Sequence, residues 1–466
     1  MFTKIDEKLL SALRNIVGDK NVLTDVEDIE PYSHDEVAEL NVVPEAVVRA
    51  RSTDQVSRVM QLASNEHFPV TPRGAGKGLS GGAVAVDGGI VLSLEKMNEI
   101  LEIDEENLMA RVQPGVITGD LHRAVEAVGL FYPPDPASLD SCSLGGNIAE
   151  NAGGPRAIKY GVTHNYVCGL TAVLPSGAVT HLGGKVVKNV TGYDLLQLLI
   201  GSEGTLGIVT EATLRLIPLP QNRIDLLVPF DDFRKAAESV SAIIKSRIVP
   251  VALEFMERDS ILAVEKLKDM EVPYSEAAAH LLITLDGNDE NYLEEECEKI
   301  GEICLEHDAI EVLVADNSQI REQLWSARKL IIEALQALSP ERIMDTQDIV
   351  VPRTELPVLL DRIKEVADRY GLNIINFGHS GDGNVHVNII KDMPEEQWKR
   401  DAPKAAEEIY RIAISLGGKI TGEHGIGVTR KGVLSLGADE AQIEIMKGIK
   451  TALDPHGILN PGKILS

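Results

Sequence analysis

The sequence has few cysteines, few aromatic residues and no long uninterrupted hydrophobic run. Four cysteines occur among 466 residues, and they form neither a CxxC pair nor a ligand set of the kind that iron–sulfur clusters or structural zinc require. We therefore predict reduced, mostly packed thiols, so any redox chemistry must use a bound organic cofactor. No run approaches the roughly 18 apolar residues of a membrane span, and no span is predicted.

Basic residues are also in short supply. Lys and Arg number 45 against 72 Asp and Glu, which gives a formal net charge of −27. Such a field repels phosphate backbones and anionic membrane surfaces, which argues against nucleic-acid binding. An anionic substrate must therefore meet a local cationic site. The N-terminus has an amphipathic helix pattern without a signal-peptide cleavage site, and we expect a cytoplasmic protein.

Hydrophobic residues make up 44% of the chain, which is enough for buried cores in two or three domains. A strand is predicted at 46–50 and a helix from Thr53 to about Glu66, with Thr53 as its N-cap. An extended segment follows at 69–72. From there to about Pro220, short strands alternate with glycine-rich turns, which is typical of an α+β domain.

Beyond Pro220, longer helical patterns alternate with strand-like runs. Helices are predicted at 231–246, 259–268, 290–307, 319–338 and 355–370, and strands at 251–256, 281–285, 310–314 and 347–351. This alternation predicts a second domain built from a sheet and helices.

The most glycine-rich stretch runs from Arg73 to Gly82 and offers successive backbone N–H groups that no side chain shields. Such a loop can wrap a diphosphate, although a purely structural turn would explain the loop by itself. No helix pattern opens directly after it, which argues against a Rossmann fingerprint. No Gly–Lys–Ser/Thr ends it, which argues against a Walker loop.

Two further glycine-rich segments follow at 133–154 and 201–209. Together with PRGAGKGLSGGA, they resemble the FAD domain of the vanillyl-alcohol-oxidase (PCMH) type. The resemblance implies that the first two loops flank the FAD pyrophosphate and that later segments line the adenine and the isoalloxazine. Because Lys77 stands near the point where some flavoproteins attach FAD covalently through a histidine, we expect non-covalent binding.

The resemblance implies a set of FAD-binding residues in these segments and near the C-terminus. They are Arg73, Gly74, Ala75, Gly76, Lys77, Gly78, Leu79, Ser80, Gly81, Gly82, Pro134, Asp135, Ser141, Cys142, Leu144, Gly145, Gly146, Asn147, Asn151, Gly153, Gly154, Glu203, Gly204, Gly207, Ile208, Val209 and Asn460.

The C-terminal half carries a second resemblance. GHSGDGNVHVN at 378–388 and TGEHGIG at 421–427 resemble the FAD-linked D-2-hydroxyacid dehydrogenases. That group includes D-lactate dehydrogenases, D-2-hydroxyglutarate dehydrogenases and the flavin subunit of glycolate oxidase. The resemblance runs from about residue 40 to the terminal LNPG.

An α+β protein with two main domains is therefore expected. The predicted parts are an N-terminal helical segment at 1–40, a vanillyl-alcohol-oxidase-type FAD-binding domain at 41–219, an α+β substrate or cap domain with an antiparallel sheet at 220–420, and a C-terminal segment at 421–466 that returns to the flavin site.

Two imidazoles and a carboxylate suit a borderline divalent ion with open coordination positions. By the resemblance, His379, His386 and Glu423 are the expected ligands of one ion, which could be Zn²⁺, Fe²⁺ or Mn²⁺. The alternative is that His379 and His386 are only hydrogen-bonded within glycine-rich turns. If 385–388 is a strand, His386 and Asn388 project to one face, so a metal ligand and a substrate-binding amide would be neighbours.

The resemblance also implies the catalytic groups. His424 is the expected base for the substrate hydroxyl, while the flavin takes the C2 hydrogen as hydride at N5. Arg328 matches the family's substrate arginine, although on a helix it could equally be a solvated surface charge. The segment 343–348 lacks the lysine that some members acting on dicarboxylic acids carry, which favours a small monocarboxylate.

The leading interpretation is an FAD- and metal-dependent D-2-hydroxyacid dehydrogenase that converts D-lactate to pyruvate. One alternative is the flavin subunit of a glycolate oxidase, and another is a flavin electron-transfer or scaffold subunit with a vestigial site. The sequence has no nicotinamide fingerprint and no cluster motif. Reduced FAD is therefore expected to pass electrons to a soluble redox subunit. The resemblance to certain soluble bacterial lactate dehydrogenases implies that this subunit is an electron-transferring flavoprotein.

Overall fold

The computed structural model of the chain describes residues 2–38, 40–315 and 317–465 and divides into two compact units. The first unit contains the residues up to Gly153, Val162–Leu219, and the residues from Glu423 onward. The second unit contains Gly154–Gly161 and Pro220–Gly422. The final segment of the chain therefore belongs with the N-terminal half.

The helices are distributed along the whole chain. In order they are α1 Glu7–Val17, α2 Val26–Ile29, α3 Thr53–Glu66, α4 Thr118–Glu126, α5 Leu144–Glu150, α6 Ala157–Tyr160, α7 Leu195–Leu199, α8 Phe233–Lys245, α9 Arg258–Lys268, α10 Glu290–Glu306, α11 Ser318–Lys329, α12 Ile331–Gln336, α13 Leu356–Tyr370, α14 Glu395–Ser415, α15 Leu434–Gly437 and α16 Glu440–Leu453.

The strands fall into two groups, one in each unit. Those of the first unit are β1 Val22–Leu23, β2 Ala46–Arg49, β3 Val70–Arg73, β4 Ile90–Ser93, β5 Ile100–Asp104, β6 Met109–Val112, β7 Leu130–Phe131, β8 Val167–Val173, β9 Val179–Gly183, β10 Ile208–Arg215 and β11 Ile217–Pro218. Those of the second are β12 Asn222–Phe230, β13 Ala252–Glu257, β14 Ala279–Gly287, β15 Leu313–Val314, β16 Met344–Val350, β17 Asn373–Gly378 and β18 Asn384–Ile390.

Two main sheets organise the first unit. One has the order β1-β2-β4-β3, in which β2 and β3 both run parallel to β4. The other has the order β5-β6-β10-β8-β9 and is antiparallel. The C-terminal segment joins the first of these sheets, because the Asn460 N–H donates to the Val70 carbonyl at 2.8 Å. This contact brings a predicted cofactor residue to the strand that precedes the glycine-rich loop.

Helix α3 shows how local sequence sets an element of the first unit. Its buried positions recur at helical spacing, as predicted, and include Val56, Val59, Met60 and Ala63. The expectation that Thr53 is the N-cap is wrong. Ser52 has an extended backbone and its hydroxyl accepts the Gln55 N–H at 3.3 Å, so Ser52 caps the helix and Thr53 is its first residue.

The second unit is built on one sheet of order β15-β12-β14-β13-β17-β18-β16. All of its described strand pairs are antiparallel, as predicted. Helices α9, α11 and α12 pack on this sheet through a shared apolar core that includes Met256, Leu324, Ile331 and Phe377. The core fixes α11 against β13 and β17, the strands that carry part of the candidate site.

Two helical features of the second unit differ from expectation. The helix predicted at 319–338 is two helices, because Leu330 ends α11 and precedes α12 with φ −84° and ψ −5°. Helix α14 carries Pro403 in its interior, a residue that normally interrupts a helical pattern, and the sequence did not reveal this helix. Among the helices that the structure describes, none is long and apolar enough to cross a membrane.

Candidate active site

The first glycine-rich loop follows β3 and lies against the second glycine-rich segment. A Cβ added at Gly74 would lie 2.2 Å from the Ser143 hydroxyl oxygen. The Ala75 N–H donates to that oxygen at 3.2 Å, and Ser143 also caps α5 by accepting the Gly146 N–H at 3.4 Å. Glycine is therefore required at 74 because two backbone segments meet there.

The same loop turns sharply at Gly76. This residue has φ +70°, and an added Cβ would lie 2.2 Å from the Arg73 guanidinium. Arg73 is buried and donates to the carbonyls of His34, at 2.7 Å, and Pro31, at 3.1 Å. Lys77 pairs with Glu36 at 2.6 Å. The side chains of Arg73 and Lys77 thus bind the N-terminal segment.

The third glycine-rich segment joins the other two through backbone bonds. The Gly201 N–H donates to Ile148 at 3.0 Å, and the Glu203 N–H donates to Ala149 at 2.8 Å. The Asn460 side-chain amide donates to the carbonyls of Glu203, at 2.8 Å, and Gly82, at 3.0 Å. The structure therefore brings together segments of the first unit that were expected to bind FAD, although they are far apart in sequence.

The remaining predicted FAD residues of the first unit lie in the same segments. Cys142 is buried with its sulfur 3.3 Å from the Thr118 hydroxyl, which accepts the Asn147 side-chain N–H at 2.7 Å. The Pro134 carbonyl lies 3.0 Å from His122 Nε2. Asp135 and Asn151 are half-buried, Ser141 is exposed, and Ile208 and Val209 open β10. Gly154 falls in the second unit.

Glu150, at the end of α5, is an acid of the first unit that the sequence analysis missed; the residue is half-buried and its Oε2 atom is buried. Its carboxyl, together with that of Glu203, crowds Gly425, where an added Cβ would lie 2.4 Å from Glu150 and 3.0 Å from Glu203. The Glu203 carboxylate accepts the N–H groups of Ile426, at 2.8 Å, and Gly427, at 2.7 Å. Burial raises the pKa of Glu150 well above its usual range, and the nearby Glu203 adds to this effect.

In the second unit, β18 places His386 and Asn388 on one buried face, as the strand prediction implied. His386 stands opposite Asp348 of β16, and Asn388 stands opposite Thr346. The Asn388 amide oxygen accepts the Thr346 hydroxyl at 3.0 Å, and its nitrogen donates to Ile375 at 3.0 Å. This amide is therefore held by neighbouring strands.

His379 follows β17 and lies beside His386. The two ring centroids are 5.2 Å apart and the rings are nearly perpendicular. His379 Nδ1 lies 2.8 Å and 3.0 Å from the two carboxylate oxygens of Glu254, a fully buried residue of β13. The hydrogen bonds of His379 thus reach across the sheet to a carboxylate and are not confined to the glycine-rich turn.

Arg328 projects from α11 to the same carboxylate. Its side chain is 6% exposed, and Nη2 and Nε lie 2.6 Å and 2.8 Å from a Glu254 oxygen. The guanidinium also lies over the Phe377 ring, 4.7 Å from the centroid. The alternative that Arg328 is a solvated surface charge is therefore wrong.

Glu254 is a second buried acid that the sequence analysis missed. Burial would raise the pKa of its carboxyl, but the charges and hydrogen bonds of His379 and Arg328 outweigh burial and hold the pKa below its usual range. The group is therefore ionised at neutral pH. The available signal was one acidic residue inside the apolar strand pattern of β13.

Asp348 is a third buried acid outside the predicted set. Its carboxylate accepts the side-chain N–H of Asn384 at 2.8 Å, the Thr421 hydroxyl at 2.7 Å and the Gly422 N–H at 2.9 Å. One oxygen lies 3.5 Å from His386 Nδ1. Gly422 is the last residue of the second unit, so Asp348 fixes the point from which the chain continues into Glu423.

The predicted ligands and base are divided between the two units. His379 and His386 lie in the second unit, whereas Glu423 and His424 begin the last segment of the first. In the second unit, Asp348 and His386 belong to a group that could hold a metal ion. Among the residues that the structure describes, the group does not include His379. Imidazole and carboxylate donors of this kind fit Zn²⁺, Fe²⁺ or Mn²⁺.

Comparison with known proteins gives the family. Residues 44–183 match the FAD binding domain family, and residues 219–464 match the family of FAD linked oxidases, C-terminal domain. The chain is 44% identical over 435 residues to "Glycolate oxidase subunit GlcD" of Bacillus subtilis, covering 93% of this chain and 92% of that one. The chain belongs to the FAD-linked D-2-hydroxyacid dehydrogenase family.

A second relative extends the match over almost the whole length of the chain. "D-lactate dehydrogenase" of Anaerostipes hadrus is 40% identical over 470 residues, which covers 99% of this chain and 98% of that one. Among solved structures, p-cresol methylhydroxylase superposes with a TM-score of 0.82 at 20% identity, covering 98% of this chain and 96% of that one. The fold of this dehydrogenase-family member is therefore of the vanillyl-alcohol-oxidase type.

The geometry of the first loop predicts that Gly76→Ala loses bound FAD. Alanine is strained at the positive φ of residue 76, and its Cβ would collide with the buried Arg73 guanidinium, which would have to leave its bonds to His34 and Pro31. Gly432→Ala is the matched control in the same unit, because a Cβ there would meet no atom within 4 Å. The measurement is flavin absorbance relative to protein after gel filtration. Equal flavin retention in both variants would contradict the assignment of this loop to FAD.

Proposed function

We propose that the protein oxidises a small D-2-hydroxy acid to the 2-oxo acid, with D-lactate preferred over glycolate. The observation that carries this proposal is the buried arrangement of His379, His386 and Arg328 in the second unit, where two imidazoles lie beside a cation that can bind a carboxylate. The relatives' names, a glycolate oxidase subunit and a D-lactate dehydrogenase, support the same substrate class.

The proposed cofactors are non-covalent FAD and one divalent ion. FAD would lie along the glycine-rich segments of the first unit, with the backbone of Arg73–Gly82 and Ser141–Asn147 at its diphosphate. His379, His386 and Glu423 would hold the ion, and Asp348 offers another oxygen near His386. When bound, the ion lowers the pKa of a chelated hydroxyl and the flavin accepts a hydride.

The chain's own residues would orient the substrate and move one proton. Arg328 binds the carboxylate of the hydroxy acid, and Asn388 lies on the same strand face as His386. The oxidation breaks the O–H and C2–H bonds of the substrate. His424 would accept the hydroxyl proton, and bound FAD would supply the acceptor for the C2 hydrogen and two electrons. The products are the 2-oxo acid and reduced FAD.

The second candidate is the flavin subunit of a glycolate oxidase, which the 44% identity to such a subunit favours. A flavin scaffold with a vestigial site is a weaker alternative. His379, His386, Glu423 and His424 are all present in the chain, and a scaffold would have no need of them together.

Anaerobic mixing of the purified flavoprotein with substrates tests the oxidation itself. D-lactate should bleach the flavin absorbance and give one pyruvate for each flavin reduced, and it should do so faster than glycolate. L-lactate is the matched control because it is the enantiomer of D-lactate and differs from it only in the configuration at C2. Faster bleaching by glycolate would favour the glycolate oxidase subunit, and no bleaching by any of these acids would favour the scaffold.

Replacement of the proposed base tests the proton step. His424→Ala should keep its flavin and metal yet reduce the rate of bleaching by D-lactate about 10²- to 10⁴-fold, the usual contribution of a general base. Stopped-flow absorbance measures this rate. A loss below roughly fivefold, well short of that range, would assign the proton to another group.

Reduced FAD requires an acceptor, and we propose a soluble electron-transferring flavoprotein. The net charge of −27 should make this association sensitive to salt if charges steer it. Steady-state turnover with D-lactate should be slow with NAD alone and should rise strongly when that flavoprotein from the same source is added. Good activity with a quinone analogue and no stimulation by the flavoprotein would remove this partner and leave the oxidation intact.

A further inference from the structure

One carboxylate in the second unit, that of Glu254, contacts both His379 and Arg328. The proposed function gives these two side chains different roles. Glu254 lies on β13 with no exposed surface. Its oxygens lie 2.8 Å from His379 Nδ1 and 2.6 Å from Arg328 Nη2. His379 is a proposed metal ligand, and Arg328 is the proposed partner of the substrate carboxylate.

We propose that Glu254 is a positioning residue that orients His379 for the metal and Arg328 for the substrate at the same time. This inference rests on the proposed function, because it assigns a role relative to the ion and the hydroxy acid. Glu254 itself would touch neither of them.

The contact with Glu254 determines the tautomer of His379. When His379 binds a metal ion its imidazole is neutral and has one N–H, and a carboxylate that is paired with Arg328 can only accept a hydrogen. The contact at Nδ1 therefore places the ring hydrogen on Nδ1 and the lone pair on Nε2. A carboxylate that accepts the second N–H of a metal-binding histidine fixes the tautomer of the ring and makes the histidine a stronger ligand. The edge contact with His386 fixes the plane of the ring.

The same carboxylate sets the orientation of Arg328. Two of its nitrogens, Nε and Nη2, bond to a Glu254 oxygen, and the guanidinium lies over the Phe377 ring. An arginine side chain has many rotamers and loses entropy when it binds an anion. Because the carboxylate and the aromatic ring already hold its plane, less of that entropy is lost when a substrate binds.

A neutral side chain cannot replace the Glu254 carboxylate at both contacts. A glutamine at 254 has one amide oxygen, so its NH₂ group must face either the His379 N–H or the Arg328 guanidinium. Two donors would then oppose each other in a buried place, and the charge that balances Arg328 would be lost. Metal binding and substrate binding should therefore weaken together in Glu254→Gln.

The experiment is a Co²⁺ titration of the full-length flavoprotein after chelators have removed its metal. Co²⁺ is the probe because its visible spectrum reports on imidazole ligation without any turnover. The wild-type protein should bind one Co²⁺. Glu254→Gln should bind it about 10- to 100-fold more weakly, the usual effect of losing an outer carboxylate, and with an altered spectrum. Its KM for D-lactate should also rise.

Glu257→Gln is the matched control. Glu257 lies on the same strand, and its carboxylate accepts the backbone and side-chain N–H groups of Asn376 at 2.9 Å and 3.0 Å. Its substitution also places an amide opposite donors, so it measures general damage to the strand. Co²⁺ affinity in this control should stay within about twofold of wild type, as expected for a site without shared partners.

Wild-type Co²⁺ affinity and spectrum in folded Glu254→Gln would overturn the inference, and so would equal weakening in Glu254→Gln and Glu257→Gln. If wild-type protein binds no Co²⁺, the metal-dependent function fails first and this inference fails with it. If Glu254→Gln does not fold, Glu254→Asp serves instead. It keeps the charge but withdraws the carboxylate by one methylene, and wild-type Co²⁺ affinity in that variant would overturn the inference.

Discussion

The central constraint of the second unit is that an ionised carboxylate cannot be buried without compensation. Glu254 has no exposed surface, and the positive charge of Arg328 and the N–H of His379 compensate it. Asp348 repeats the arrangement near His386, where bonds to the chain at Thr421 and Gly422 satisfy its oxygens. Each of the two predicted metal-binding histidines thus lies beside a buried acid.

The parts of the site that the sequence could predict are those with local signals. Runs of glycine indicated the loops. Apolar and polar residues alternate at 385–388, as in a strand, and β18 places His386 and Asn388 on one face as expected. For Glu254 the local signal was an acidic residue within an apolar strand, but this signal does not reveal its partner, because His379 lies 125 residues away in sequence. The surroundings of Arg328 were equally hidden, since a helical pattern does not show which strands cover the helix. Helix α14 was not predicted, and it contains Pro403 in its interior, a residue that normally interrupts a helical pattern.

In the first unit, the constraint is close approach of backbone segments. Ser143 serves two loops, because its hydroxyl accepts N–H groups from Ala75 and Gly146. A side chain at Gly74 would occupy the position of that hydroxyl. The glycine content of these segments therefore reflects their mutual packing, and the exposed backbone amides that the proposed cofactor needs are a consequence of the same packing.

The basis of the proposed activity is the binding of one divalent ion by imidazoles that buried carboxylates hold in place. X-ray absorption at the edge of the resident metal tests it most directly, because the spectrum reports ligand type and distance without reference to turnover. The account predicts two imidazole nitrogens and a carboxylate oxygen at about 2.0–2.2 Å, the range for zinc. A sulfur shell near 2.3 Å, or a spectrum without imidazole scattering, would contradict it.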